Sequence, residues 1–179
     1  SPQPLAVSAS GDAAYQITLS GAERFLADHL VHGRKLVPGV AFLEFARAAL
    51  ARAQGARPLS LANIVWTTPL AVDGEPVDLA VSLEPDRDGA FAYRVTARTA
   101  DGVTTLHHQG RALAETPVGV ATRDLPGLRA EFSGCVDVSA ACYAALVSGG
   151  AVHGPTMRAL TTVRAMGRRA LAHIQLPAT

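Results

Sequence analysis

Cysteine is scarce. Cys135 and Cys142 are the only two, too few for a disulfide scaffold and without the further Cys or His partners of a zinc knuckle, so the simplest compartment is a reducing cytosol. Charge is sparse as well: 17% of the 179 residues are charged, and 16 Lys+Arg against 15 Asp+Glu leave a net charge of +1. That balance argues against a protein that binds nucleic acid by neutralising phosphates. Long apolar runs are missing too. No uncharged stretch approaches the ~18 residues of a membrane span, and Ser1–Ser10 has neither the basic start nor the apolar run of a signal peptide. The expectation is a cytoplasmic chain that meets neither membrane nor nucleic acid.

What the chain has is apolar content, 49% of its residues, enough for a real core in one domain or one and a part. Tyr15, Ile17 and Leu19 alternate with polar or small residues as in a half-buried strand, and Gly21–His29 reads as a single turn leading into Leu30. From Pro38 the sequence PGVAFLEFARAALARAQG predicts a helix with proline at its first turn and Gly55 just past its end. Val40, Phe42, Leu43, Phe45, Ala46, Ala49 and Leu50 go most of the way round it, so the helix is expected to be wrapped on all sides. Strand-like runs follow at Leu61–Thr67, Val77–Leu83, Phe91–Ala97 and Thr104–Leu113, separated by Asp-Gly turns. A strand, one long buried helix and an antiparallel meander are the order of a hotdog fold, although periodicity alone supports only the α+β class.

Thr116–Gly127, with Pro117, Gly119, Pro126 and Gly127, reads as a loop or linker. Beyond it, Asp137-Val138-Ser139 can cap a short helix ending at Gly149-Gly150, and Leu160–Ala165 and Ala170–Leu176 read as strands. With no second long helix to cover them, these strands would leave an apolar face and an edge exposed.

The sharpest local pattern is His29-Leu-Val-His-Gly33-Arg-Lys-Leu-Val-Pro38-Gly39, directly before the buried helix. It puts an imidazole, a glycine turn and a helix N-terminus in one short segment. Unbonded N–H groups at the helix start, with Gly39 allowing close approach, can hold a carbonyl oxygen as it becomes negative. An imidazole with an ordinary pKa of ~6.5 can accept a proton at working pH. A base beside an oxyanion site is what proton abstraction α to a thioester requires.

His29, Gly33, Pro38 and the following PGVAFLEFARAAL resemble the dehydratase domain of modular polyketide synthases. So do Asn63-Ile-Val-Trp66-Thr-Thr-Pro69, His107-His-Gln-Gly-Arg111 and His153-Gly154-Pro155-Thr156-Met157, the last at the place of the family's YGPxF segment. LVPGVAFLE is most similar to synthases served by separate acyltransferases. The resemblance implies a double hotdog: residues 1–115 as the first, with its central helix at about 39–54, 116–128 as linker, and 129–179 as part of the second. It implies loss of water from a 3-hydroxyacyl group to give a 2-enoyl thioester. His29 would be the general base, Gly39 the oxyanion and thioester-binding position, and Gly33, Val37, Pro38, His153, Gly154 and Pro155 the substrate tunnel. No bound cofactor and no metal are implied, only the phosphopantetheine arm of an acyl carrier protein. The implied partners are that carrier and neighbouring synthase domains, and a homodimer is left open.

Two departures from the family pattern bear on activity. The LDxxxQ motif that supplies the family's acid aspartate does not occur, since the chain stops at Leu176-Pro-Ala-Thr179, as a fragment or incompletely represented chain would. His153 and Met157 also stand where the family has tyrosine and phenylalanine. A base without its acid suits double-bond isomerisation or oxa-Michael (pyran-forming) ring closure as an alternative to dehydration, and an inactive docking remnant is the reading outside enzymes.

The remaining histidines read as structural. His29 and His32 have the i, i+3 spacing that metal ligands can have, but nothing is set to complete the site. His107 and His108 are expected on opposite faces of a strand, and His173 is read with them. Residues 111–179 hold seven arginines against four acids, and Arg158, Arg164, Arg168 and Arg169 could form a surface that meets an acidic carrier.

Overall fold

The computed structural model describes residues 7–8, 13–55, 59–86, 89–98, 102–114 and 122–177. In chain order its elements are β1 (Val7–Ser8), β2 (Ala13–Leu19), α1 (Arg24–Ala27), β3 (His29–Val31), β4 (Arg34–Lys35), α2 (Gly39–Gln54), β5 (Leu59–Trp66) and β6 (Val77–Pro85). Then come β7 (Phe91–Arg98), β8 (Thr104–Ala114), α3 (Leu125–Glu131), α4 (Ser139–Ser148), β9 (Ala151–His153), β10 (Leu160–Met166) and β11 (Arg169–Ile174). Two compact units divide the chain: Ser1–Glu23 with Leu36–Val118, and Arg24–Lys35 with Gly119–Thr179. The segment 24–35, counted with the first hotdog in the sequence, thus groups with the second unit.

The first unit is a six-stranded antiparallel sheet in the order β1-β2-β6-β7-β8-β5 together with α2. Alternation builds its core. Leu79, Val81 and Leu83 of β6 and Tyr93, Val95 and Ala97 of β7 are all buried, each larger side chain contributing roughly 1.5–3 kcal/mol of transfer free energy. The helix starts and stops where proline and glycine predict: Pro38 is the N-cap, and Gly55 takes φ 79° at the C-cap. Phe42, Ala46, Ala49 and Leu50 form its buried stripe.

The expected all-round wrapping does not hold within this unit. Val40 is 66% exposed, and Glu44 and Arg47 pair at 2.6 Å on the solvent side. Two polar side chains one turn apart can satisfy each other in water, and that face needs no cover.

Two bulges break the regular pleat. On β8 the register against β7 shifts between Val95 and Thr96, which pair with His108 and Leu106, leaving His107 as the extra residue. On β5 the register against β8 shifts between Ala62 and Val65, where Asn63 takes φ 51°, a left-handed conformation that asparagine tolerates better than most.

The second unit contains a three-stranded sheet, β4-β3-β9, and the β10-β11 hairpin. β3 and β4 are joined by His32 (φ 49°) and Gly33 (φ 77°), two positive-φ residues as a two-residue hairpin turn demands. Helix α3 begins inside the stretch expected to be linker. Asp124 accepts from the Gly127 N–H at 3.0 Å, and Pro126 occupies the first turn, where its missing donor costs nothing. Residues 116–121 of that stretch lie outside the described residues.

Asp137 starts α4 as expected, accepting from the Ser139 N–H at 2.9 Å, and it also accepts from Val163 N–H of β10 at 2.9 Å. The proposed arginine surface is largely committed within the unit. Arg164 donates to the Phe132 and Ser133 carbonyls, Arg169 pairs with Glu131, and Arg158 lies over the Tyr143 ring at 4.4 Å. No described helix is long and apolar enough to cross a membrane.

Candidate active site

The expected site residues fall in both units. His29, Gly33, His153, Gly154 and Pro155 belong to the second, and Val37, Pro38 and Gly39 to the first.

In the second unit the antiparallel pairing of β3 and β9 sets His29 directly opposite His153. Their rings are 5.3 Å apart between centroids and tilted by 31°. Both side chains are half-buried. Burial, and then the neighbouring charge of His29, lower the pKa of His153. Gly154 and Pro155 follow His153 into a 3-10 turn, Pro155–Met157. His32 sits in the β3-β4 turn, with its N–H donating to the Gly150 carbonyl at 2.7 Å.

In the first unit, the start of α2 opens on a cavity of about 360 Å³ lined by Val37, Gly39, Phe42, Trp66, Thr67, Thr68 and Pro69. Proline at the N-cap offers no side-chain bond to the first turn, which leaves the leading amides for another acceptor. Trp66 donates from Nε1 to the Gly39 carbonyl at 2.9 Å. A Cβ at residue 39 would lie 2.9 Å from that nitrogen, so this approach needs glycine. Val37 and Pro38 are buried, and the Val37 N–H donates to the Leu70 carbonyl at 2.8 Å.

Behind Phe42 lie both His107 and His108, which overturns their expected placement on opposite faces. The Phe42 ring stacks on His107 at 6.4 Å and on His108 at 5.5 Å. The bulge at His107 inserts one residue, and the alternation slips by one. His107 Nδ1 donates to the Thr68 carbonyl at 2.8 Å. His108 is fully buried against Phe42, Tyr93 and Trp66, and neither of its ring nitrogens has a partner among the described residues. Burial lowers its pKa and keeps the ring neutral.

Sequence reasoning missed Asp28. Its carboxylate accepts from the Thr156 N–H at 2.7 Å and from the Thr156 hydroxyl at 2.6 Å. These residues are 128 positions apart, and no local pattern signals the pair. Among the described residues no group of three or more His, Cys, Asp or Glu could hold a metal ion.

A central helix with an antiparallel sheet, preceded by a histidine-bearing strand, defines a hotdog-type domain of the α+β class. Comparison with known proteins makes this specific: residues 3–98 match the family model of the polyketide synthase dehydratase domain, and the chain belongs to that family. It is 31% identical over 169 residues to the polyketide synthase PksN of Bacillus subtilis, covering 92% of this chain and 3% of the synthase. To ThaG of Burkholderia thailandensis it is 35% identical over 173 residues, covering 90% and 3%. Among solved structures, a trans-AT synthase dehydratase domain from Brevibacillus brevis matches with TM-score 0.86 and 29% identity, over 96% of this chain and 66% of that one. The dehydratase domain of RzxB from Pseudomonas fluorescens matches with TM-score 0.84 and 28% identity, over 97% and 64%. The chain therefore spans a small fraction of the synthases and about two thirds of the solved domains.

Proposed function

We propose that this chain performs the dehydration its family name describes, removing water from a 3-hydroxyacyl thioester delivered on the phosphopantetheine of an acyl carrier protein. Neutral His29 takes the α proton. The electrons of the broken C–H bond form the 2,3 double bond, the C3–O bond breaks, and the hydroxyl leaves as water on taking a proton from a general acid. Such α protons are weakly acidic, so stabilising the enolate oxygen carries much of the barrier reduction. The leading amides of α2, Gly39 first, serve that role. Gly33, Val37 and Pro38 shape the turn and tunnel, and His153, Gly154 and Pro155 line it. The family's acid is an aspartate in LDxxxQ, a motif this sequence does not contain. Residues 1–115 would form the first hotdog and 129–179 part of the second, working in the cytoplasm within a multidomain synthase.

The observation that carries this reading is the family match over 3–98, which includes His29, Gly33, Val37, Pro38 and Gly39. The experiment is mass spectrometry of a 3-hydroxyacyl carrier protein incubated with the chain and with its His29→Ala variant. Loss of one water that requires His29 is the expected result. No mass change with a folded chain would overturn dehydration, and product chromatography would then separate isomerisation or ring closure from an inactive remnant.

A further inference from the structure

Two short strands carry the facing histidines. β3 and β9 have three residues each, and a ladder that short specifies register weakly on its own. What closes it lies immediately beyond the histidines, at Asp28 before His29 and at Gly154 after His153. The Gly154 N–H donates to the Asp28 carbonyl at 2.8 Å. One oxygen of the Asp28 carboxylate accepts from both the N–H and the hydroxyl of Thr156, at 2.7 and 2.6 Å. Its other oxygen occupies the space a Cβ at Gly154 would need. The 3-10 turn Pro155–Met157 has no side-chain cap from its own N-cap residue, Gly154, so Asp28 supplies that bond from another segment. Hydrogen bonds to an ionised carboxylate are about twice as strong as neutral ones. The two bonds from Thr156, with the nearby charge of Arg24, hold the Asp28 pKa below the usual carboxylate value.

We propose that Asp28 is a positioning residue: by pinning the turn after β9 to the end of β3, it fixes the separation and tilt of the His29 and His153 imidazoles. Asp28 acts through the turn it holds. For its catalytic consequence this inference rests on the reading of His29 as the base. The pinning itself does not.

The test is a pH titration of ¹⁵N-labelled imidazoles by NMR in the wild-type chain and in Asp28→Ala, Asp28→Asn and Thr156→Val, with His153→Gln for assignment. In the wild type His153 protonates below the ordinary histidine value of ~6.5, and the two rings show mutual contacts. Asp28→Ala should lose the ring contacts and bring His153 up towards that value. Asp28→Asn keeps an acceptor oxygen and should restore most of the wild-type behaviour, while Thr156→Val, which removes one of the two bonds, should fall between. Unchanged ring contacts and titration in Asp28→Ala would overturn the proposal; if that variant does not fold, unchanged behaviour in Thr156→Val does so. In the water-loss assay, Asp28→Ala should lower kcat by about 10- to 100-fold with little change in KM, the scale of a small misplacement. A wild-type chain that removes no water would refute the dehydratase reading, and the NMR result would still decide the role of Asp28.

Discussion

The indole of Trp66 and the backbone of Gly39 are matched to each other: the ring nitrogen donates to the Gly39 carbonyl at 2.9 Å and lies 2.9 Å from where a Cβ on that residue would sit. The bulge at Asn63 on the same strand precedes Trp66 and resets which residues of β5 share its face. A left-handed asparagine in the sheet and a glycine at the start of the helix therefore belong to one arrangement.

Gly39→Ala should force the indole away, break that hydrogen bond and lower stability by about 1 kcal/mol. Trp66 is the only tryptophan, so its fluorescence reports the site alone, and a changed emission is expected as the indole loses its bond to the Gly39 carbonyl. In a Trp66→Phe background the same glycine change should cost less, and thermal melts of the four proteins measure the coupling.

Tyr93→Phe should be neutral or stabilising, within about 1 kcal/mol, because the Tyr93 ring is buried and its hydroxyl has no partner among the described residues. Burial raises the Tyr93 pKa to about 12, so a spectroscopic titration should show a tyrosine that resists ionisation and is absent from the Tyr93→Phe variant. A clear loss of stability in the phenylalanine variant would reveal a bond to that hydroxyl.

Stability should fall on mild acidification. His108 and His153 both have folded pKa values below the unfolded one, so the unfolded chain takes up the proton first. Their contribution is complete above ~6.5 and is lost as pH falls towards the folded pKa. Midpoints measured from pH 8 down to mildly acid conditions should drop, with a shallower slope in His108→Phe, which keeps an aromatic ring in the stack, and shallower again with His153→Gln added. An unchanged slope in both would contradict the assignment.

The sequence discloses more of the elements than of the site. Pro38 and Gly55 mark both ends of α2 because each acts through its own backbone, and the β2, β6, β7 and β8 strands follow from alternation. The shared side of His107 and His108 could not be read, because alternation presumes an unbroken pleat and one inserted residue reverses it. Helix α3 was hidden by Pro126 and Gly127, residues that punctuate loops as readily as they open helices. The facing of His29 and His153, and the Asp28–Thr156 bonds beside it, depend on segments distant in the chain, where no local period applies. His29, Gly33 and Gly39 stood out because they are close together in one motif.

The measurement that tests the central claim most directly runs the reaction backwards in heavy water. A 2-enoyl carrier protein incubated with the chain should gain the elements of water, with one deuterium bound to carbon at C2 delivered from His29, and His29→Ala should abolish that incorporation. Hydration that proceeds equally well in His29→Ala, or deuterium placed anywhere other than C2, would contradict the assignment of His29 as the α-carbon base.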